Sequence, residues 1–526
     1  MHFSRRDFLI GLAATAGPRA ALAAADTLGL AAAPAAPARI GMLRDASAGI
    51  GRGRSVLVVG AGMAGLVAAY ELMRLGFEVK VLEATARVGG RVHTLRRGDE
   101  LRYDEGPAQR VAFDNDQYFN AGAARIPGTH DGILGYCREL GVHLEVISIL
   151  SRSNWCVIDD KGVDRRYRVG QLQADARGLI SEMLAKGAQQ GKLDQPLDQE
   201  DTAKLVGLLR DFGDLERDGS YAGSRRAGYR GLVDGSSAQA AVNDKLDLKT
   251  LLDHRLWYPL WYDEHLEYQP TMMQPVGGMD AITQAFAERL GPRIHRDAPV
   301  TELNIAQGRA QVVARQQGKA VAHAADFALV TCPLPVLAGL KGNLPRELFD
   351  GAAAVTYRPV YKIAWQAPRF WEQEDHIYGG ISFLDDDTSL VWYPSQGLMA
   401  PRGVLVAGYT HGPPAARYGQ MSLAMQQAAS RRSVDRLHPG RSAQLTLPVS
   451  VAWQKMPYAR GGWVTWDKAS QPYYDAVTRP RDCFFFAGEH VGVLSGWMEG
   501  SVRSALAAVQ GMVDRVAGRV PAAAAA

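Results

Sequence analysis

The hydrophobic pattern marks a few elements sharply and leaves long stretches between them. Ser55-Val-Leu-Val-Val59 is a continuous apolar run, as in a parallel strand buried on both faces. It passes directly into Gly60-Ala-Gly62-Met63-Ala64-Gly65. Leu66 to Leu75 then carries apolar residues at helical spacing, and Gly76 supplies the stop. A second run, Glu78-Val-Lys-Val-Leu82, ends in Glu83-Ala84. Further buried-strand runs are Ala328-Leu-Val330-Thr331, ended by Cys332-Pro333 and closing the same sheet, and Cys483-Phe-Phe-Phe486, which feeds Ala487-Gly488-Glu489-His490. A helix opens at Gly496-Trp497-Met498-Glu499 and continues through Val502, Leu506 and Val509. Between 165 and 258 the chain is charged and periodic (Leu172, Leu179, Ile180, Met183, Leu184, then Leu205, Leu208, Leu209), which reads as a helical insertion.

The first two strands and their turn suit a dinucleotide. Gly60 permits the tight turn, Gly62 lets backbone approach a pyrophosphate, and Gly65 allows close helix–strand packing. The helix start supplies free N–H groups and a positive dipole end to phosphate. Glu83 accepts from ribose hydroxyls and disfavours a 2′-phosphate. Strand, turn, helix and acid leave NAD and FAD both open.

Composition narrows the class. Lys and Arg total 59 against 55 acids, a net charge of +4 with no basic stripe, which argues against a nucleic-acid partner. Half of that excess lies in residues 1–25 (Arg5, Arg6 and Arg19 against Asp7). There, an arginine pair precedes a short apolar run and an A-x-A-like site at Ala21–Ala23, resembling a twin-arginine export signal. Periplasmic or secreted localisation is the expectation, with a flexible 26–50 and a disordered tail at 520–526. The apolar run is shorter than a bilayer span, so no stable membrane insertion is expected. Four cysteines (Cys137, Cys156, Cys332, Cys483) have no metal-ligand spacing and no metal is expected. They read as structural, with Cys137 on a helical face, and sequence gives no geometry for any pairing.

Three features resolve the nucleotide. After Glu83, Arg87-Val-Gly89-Gly90-Arg91 gives a second donor loop for a long bent cofactor. Gly488-Glu489 ends a returning strand where an acid meets ribityl hydroxyls, and Gly496–Met498 opens a helix beside it. With these, the chain from about Ser55 to the last helix closely resembles the amine oxidase family of FAD flavoproteins, which includes L-amino-acid oxidases. The resemblance implies an α/β and α+β multidomain fold. A Rossmann-like FAD-binding domain (51–108, 270–332 and 470–519) would carry an antiparallel-sheet substrate domain (109–150 and 333–469) and a mostly helical insertion (151–269). It also implies that Val300 meets adenine through its backbone, and that two copies form a homodimer.

Within the family, Asn120-Ala-Gly122-Ala123-Ala124-Arg125 resembles the motif whose arginine binds an amino-acid carboxylate, a role suited to a bidentate guanidinium. From local sequence alone, an interdomain salt-bridge arginine is the alternative. Tyr357-Arg-Pro-Val-Tyr361-Lys362 and Val391-Trp392-Tyr393-Pro394 are similar to the segments giving a lysine that holds water against flavin N5 and a tyrosine on the carboxylate. Lys362 and Tyr393 inherit those roles. Lys362 would otherwise be a solvent-facing strand lysine, and Trp392 could be offset by one from the true match. Gly496 and Trp497 match the Gly-Trp pair whose carbonyl accepts from the amine and whose indole walls the side-chain pocket. Where covalent-flavin relatives have a cysteine after a Gly-Gly pair, Arg460-Gly461-Gly462 is followed by Trp463, so FAD is expected to be noncovalent.

The implied reaction is oxidative deamination of an L-amino acid by hydride transfer to flavin N5. Water hydrolyses the imino acid, and oxygen is reduced to peroxide. Aromatic or large apolar side chains are the leading substrates. Asp263 and Glu264 raise a basic substrate as the alternative, while Trp257, Tyr258, Trp261 and Tyr262 read as either a pocket wall or interface packing. A 2-monooxygenase, a dehydrogenase, a primary-amine oxidase and a non-catalytic flavoprotein are the rivals.

Overall fold

The computed structural model describes residues 43, 48–230, 241–492 and 494–519. The export signal at 1–25 and the tail at 520–526 lie outside the described residues.

The apolar runs assemble into one five-stranded parallel sheet. Its spatial order is Ile294–His295, Glu78–Leu82, Ser55–Val59, Phe327–Val330, Phe484–Phe486. The run ending at Cys332, expected to close the sheet, instead lies between the first strand and Phe484–Phe486, which takes that edge. Val56 to Val59 are almost wholly buried, as the unbroken apolar run requires. The helix Met63–Arg74 packs between Ala281–Leu290 and Met498–Val516. A ribbon of three antiparallel strands (Val300–Ala306, Arg309–Gln316, Lys319–Ala325) packs against the central strands. Chain stretches hundreds of residues apart thereby bring their strand ends to one crevice, the usual ligand position in open α/β sheets.

A second sheet has seven strands, ordered Val163–Arg168, Trp155–Asp160, Gly380–Leu384, Leu390–Tyr393, Arg402–His411, Val360–Pro368, Thr446–Ala452. All pairings are antiparallel except that between Trp155–Asp160 and Gly380–Leu384. Helices Pro413–Gln420 and Leu423–Leu437 cover it, so Val360 to Ala367 are buried on both faces.

The insertion expected to be mostly helical from 151 begins differently. The hairpin Trp155–Arg168 belongs to this sheet, because Cys156, Val157 and Ile158 bury against its strands while Asp164, Arg165 and Arg166 break the apolar pattern. Paired helices follow, Val169–Gln189 and Gln199–Gly213. Leu172 faces the core, whereas Ile180, Met183 and Leu208 are about half exposed or more. The four cysteines are free thiols, with Cys137 buried on its helix.

Candidate active site

The strand ends line one cavity of about 350 Å³. Of the residues assigned to cofactor binding, Gly60, Gly62, Met63, Ala64, Glu83, Ala84, Arg91 and the 122–125 loop line it, as do Val300, Gly488, Glu489 and Gly496 to Met498. Gly65 does not. It packs behind the turn, where a Cβ would stand 2.0 Å from the Gly60 carbonyl oxygen. Gly60 itself takes φ +103°, left-handed backbone that a side chain would strain. The helix Met63–Arg74 therefore starts at the cavity with its first-turn N–H groups free for an anion. Glu83 is pinned at its strand end: Oε2 accepts from the Ala61 N–H at 2.7 Å and Oε1 from Thr85. Oε2 keeps an acceptor position for a hydroxyl.

Glu489 does more than its strand position suggested. It accepts from Arg91 at 2.8 Å, from the Tyr357 hydroxyl at 3.2 Å and from the Gly496 N–H at 3.2 Å. Burial pushes its carboxyl up most strongly of any single cause, but the Arg91 charge and hydrogen bond, His490 and the Gly496 N–H together outweigh it and hold the group below the usual carboxylate range. The acid ties three distant segments around the cavity.

The substrate end is built by register. Strand Arg402–His411 carries an extra residue around Ala407–Gly408 against both neighbours. Lys362 pairs with Tyr409 while Ala364 pairs with Val406, and Leu390 and Trp392 repeat the same offset. Such a bulge resets alternation and re-aims side chains. It turns Tyr409 to the same side as Lys362 and Trp392. Lys362 is 5% exposed, and its Nζ donates to the carbonyls of Gly122 at 2.6 Å and Asn120 at 3.1 Å. Nζ lies 5.1 Å from the Tyr409 ring centroid and 5.9 Å from that of Trp392. Burial, with Arg125 nearby, lowers its pKa to about 7. The solvent-facing alternative for this lysine is removed by the 119–122 segment, which closes over its face of the strand, while the helices cover the opposite face through Tyr361, Ile363 and Trp365.

Arg125 stands in an aromatic cage. Its guanidinium carbon lies 4.8 Å from the ring centroids of Tyr268 and Trp392 and 5.2 Å from Trp497. Among the described residues it makes no ion pair, and its buried Nε has no partner. Trp497 is braced edge-on by His130 at 5.1 Å. Gly496, at φ +80°, lies against Trp463.

Tyr393 requires correction. Its hydroxyl bonds Ser382 at 3.0 Å and His438 at 2.8 Å in the core behind the sheet, and it does not line the Arg125 cavity. Adjacent strand residues face opposite sides, and Trp392 takes the cavity side. Tyr268 and Tyr409 fill out the cage region, and sequence reasoning named neither. A glycine within the apolar run Val404–Tyr409 signals a bulge and could have pointed to Tyr409. Of the suspected aromatic cluster, none lines the cavity: Tyr262 stacks on Tyr268 at 5.0 Å, and Tyr258 and Tyr262 pack on Phe383. Asp263 and Glu264 also lie outside the lining.

Residues 63–513 match the model of the flavin-containing amine oxidoreductases. The chain belongs to that family. It is 29% identical over 489 residues to the flavin-dependent L-tryptophan oxidase RebO of Lentzea aerocolonigenes, covering 87% of this chain and 97% of that protein. It is 28% identical to an L-amino-acid oxidase of Gloydius halys, over 87% and 88% of the two chains. A putative L-amino-acid oxidase of Bacillus subtilis, YobN, is 25% identical over 86% and 93%. Among solved structures, putrescine oxidase bound to putrescine has a TM-score of 0.59 at 19% identity, over 89% of this chain and 99% of that one. The fold is thus that of the flavin amine oxidases.

The residues present fit a flavin dinucleotide. Two helix starts, a glycine-rich turn and a pinned carboxylate line one cavity. Gly122 is equally constrained, since a Cβ there would stand 1.7 Å from the Arg91 carbonyl. Gly65→Ala is expected to push the helix off the Gly60 turn and weaken flavin binding about 10- to 100-fold, as overpacking of about 1–3 kcal/mol would. The ratio of flavin to protein absorbance after dialysis checks this.

Among the described residues, no helix is long and apolar enough to cross a membrane.

Proposed function

We propose that this chain is an FAD-dependent L-amino-acid oxidase that binds its flavin noncovalently and favours aromatic or large apolar substrates. The observation that carries the reading is Arg125, a caged guanidinium with no acid of its own facing the cavity beside Lys362. A partly buried cation whose Nε is buried and unpartnered, with no counter-charge among the described residues, is poised for an anionic ligand, and the bidentate match is a carboxylate. A simple monoamine would leave it unmatched. Noncovalent binding is supported by Trp463 in the cavity wall and by the free thiols, of which Cys332 is pushed up to about 12 by burial and is a weak nucleophile.

The side-chain preference follows from the lining. Its carboxylates among the described residues are Glu83 and Glu489, both committed to protein donors. Tyr268, Trp392, Tyr409 and Trp497 supply apolar faces, so a basic side chain would find no partner there.

When bound, flavin supplies the acceptor for two electrons and passes them to oxygen. The chain supplies placement: Arg125 anchors the carboxylate, the Gly496 carbonyl receives the amine, and the rings exclude water. Lys362, lowered to about 7 and so partly neutral at that pH, takes up a proton from the amine side in its neutral form. The proposed setting is outside the cytoplasm, after twin-arginine export, with two copies associating as in the family.

The test is anaerobic mixing with a panel of L-amino acids and their decarboxylated amines. Bleaching of the flavin by aromatic amino acids, with peroxide and 2-oxo acid formed in air, is the expected result. Bleaching by the amines alone would overturn the carboxylate argument. Amide without peroxide would identify a monooxygenase.

A further inference from the structure

A second, smaller cavity of about 70 Å³ lies behind the Lys362–Trp392 wall. Ala124, Lys362 and Trp392 line both cavities. Its polar walls come from Asn120, Ser148, Gln274, Ser395 and Gln396. The volume suffices for a few waters, and the polar lining gives them partners.

One wall leads outward. Gln274 Nε2 donates to Glu145 Oε1 at 2.8 Å and to Gln396 Oε1 at 3.1 Å, and it sits 3.4 Å from the Tyr118 hydroxyl. Gln274 and Glu145 are cross-strand partners in the pairing of Met272–Pro275 with Leu144–Ile147, so register fixes the contact. Gln274 is 4% exposed, while Glu145 is partly exposed and reaches solvent. At the inner end, Lys362 Nζ spends two positions on carbonyl oxygens. An ammonium has three donors, leaving one for water.

The chemistry demands an exit. Converting a substrate ammonium to an iminium removes a hydride equivalent and one proton. A bound flavin would take the hydride equivalent. The proton must leave a cavity that cofactor and substrate fill. We propose, resting on the amino-acid oxidase reading, that the small cavity is the proton exit. Lys362 exchanges its proton with water there, Gln274 positions that water, and Glu145 is the acceptor at the surface. The substrate N–H bond breaks as an N–H bond forms on Nζ. The Nζ–H bond then breaks as the proton passes through water to the Glu145 carboxylate, and from there to solvent.

The titratable and charged groups around Lys362 are Arg125 and Tyr409 on the main-cavity side and Tyr118 and Tyr393 in the lining of the small cavity, with Glu145 one step farther out behind Gln274. Strand Thr446–Ala452, which flanks it, presents Val449 and Val451. Among the described residues the small cavity's lining holds no carboxylate of its own, and the one bonded to that lining through Gln274 is Glu145.

Gln274→Leu keeps the volume and removes the polar wall, and Glu145→Gln removes the acceptor at a partly exposed site. Anaerobic flavin reduction by a good substrate is followed across pH in H2O and D2O, with an indicator dye reporting proton release. Both variants are expected to slow proton release about tenfold and to raise the solvent isotope effect, with substrate affinity unchanged. In flavin-free protein, 13Cε-lysine NMR is expected to show the Lys362 midpoint lowered in Gln274→Leu by about half a unit or more, because its ammonium loses solvating water. Unchanged proton release and an unchanged midpoint would overturn the proposal. So would slower reoxidation by oxygen with normal reduction, which would make the cavity an oxygen path. If no amino acid bleaches the wild-type flavin, the oxidase reading fails by itself, and the NMR midpoint still reports on the water.

Discussion

Arg125→Leu is expected to lower kcat/KM for the best L-amino acid by about 10²- to 10⁴-fold, the factor corresponding to the ~3–5 kcal/mol lost when one partner of a buried ion pair is removed. Turnover of the matching decarboxylated amine should change little, because that substrate never used the guanidinium. Arg125→Lys keeps the charge but loses the planar fork and its stacking on three rings, and it should fall between the two. Thermal stability separates this from a folding defect. Arg125 has no acid partner among the described residues, so removing it takes away an uncompensated cation and should leave the melting temperature unchanged or higher. A lower melting temperature with equal loss on both substrates would show that the cage is structural.

The second large effect is expected at Lys362. Lys362→Met should slow flavin reduction by about 10²- to 10⁴-fold, the range for a positioned acid–base group, and should abolish a rise in rate with pH. The sign follows from the environment. Burial, then Arg125, lowers this amine to about 7, so it becomes neutral as pH rises through 7. A step that needs the free amine speeds up over that interval. Between about pH 7 and the ordinary lysine value, the unfolded chain holds a proton that the folded chain has lost. Stability contributed through this group therefore rises with pH there, and the penalty of burying the ammonium is largest below pH 7. Lys362→Met should stabilise the protein most in acid. Arg125→Leu, by removing the neighbouring cation, should move the midpoint of the rate profile upward. Stopped-flow reduction across pH reads both shifts.

The two ends of the cavity differed in how far they could be read from sequence. The nucleotide end was legible because its determinants are contiguous. An apolar run, a glycine turn, a helical period and a second run ending in an acid specify one βαβ unit by local sterics and backbone hydrogen bonding. The structure places Gly60, Gly62 and Glu83 as that unit requires. At the substrate end, Arg125, Lys362, Gly496 and Trp497, which stand in recognisable segments, do come to the cavity. That end was misread at Tyr393, where a single residue of offset decides which face of a strand a ring occupies.

By itself the sequence determined the cofactor fold, since each of its elements is selected by neighbours in the chain. The tertiary structure alone decided what fills the substrate end. The bulge around Gly408 brings Tyr409 beside Lys362, and the distant 119–122 segment closing over its face turns a strand lysine into a dry one. Tyr268 reaches Arg125 from far along the chain, and the pairing of Gln274 with Glu145 opens a way outward. These features depend on register and on contacts between distant segments, and neither leaves a periodic trace in the order of residues.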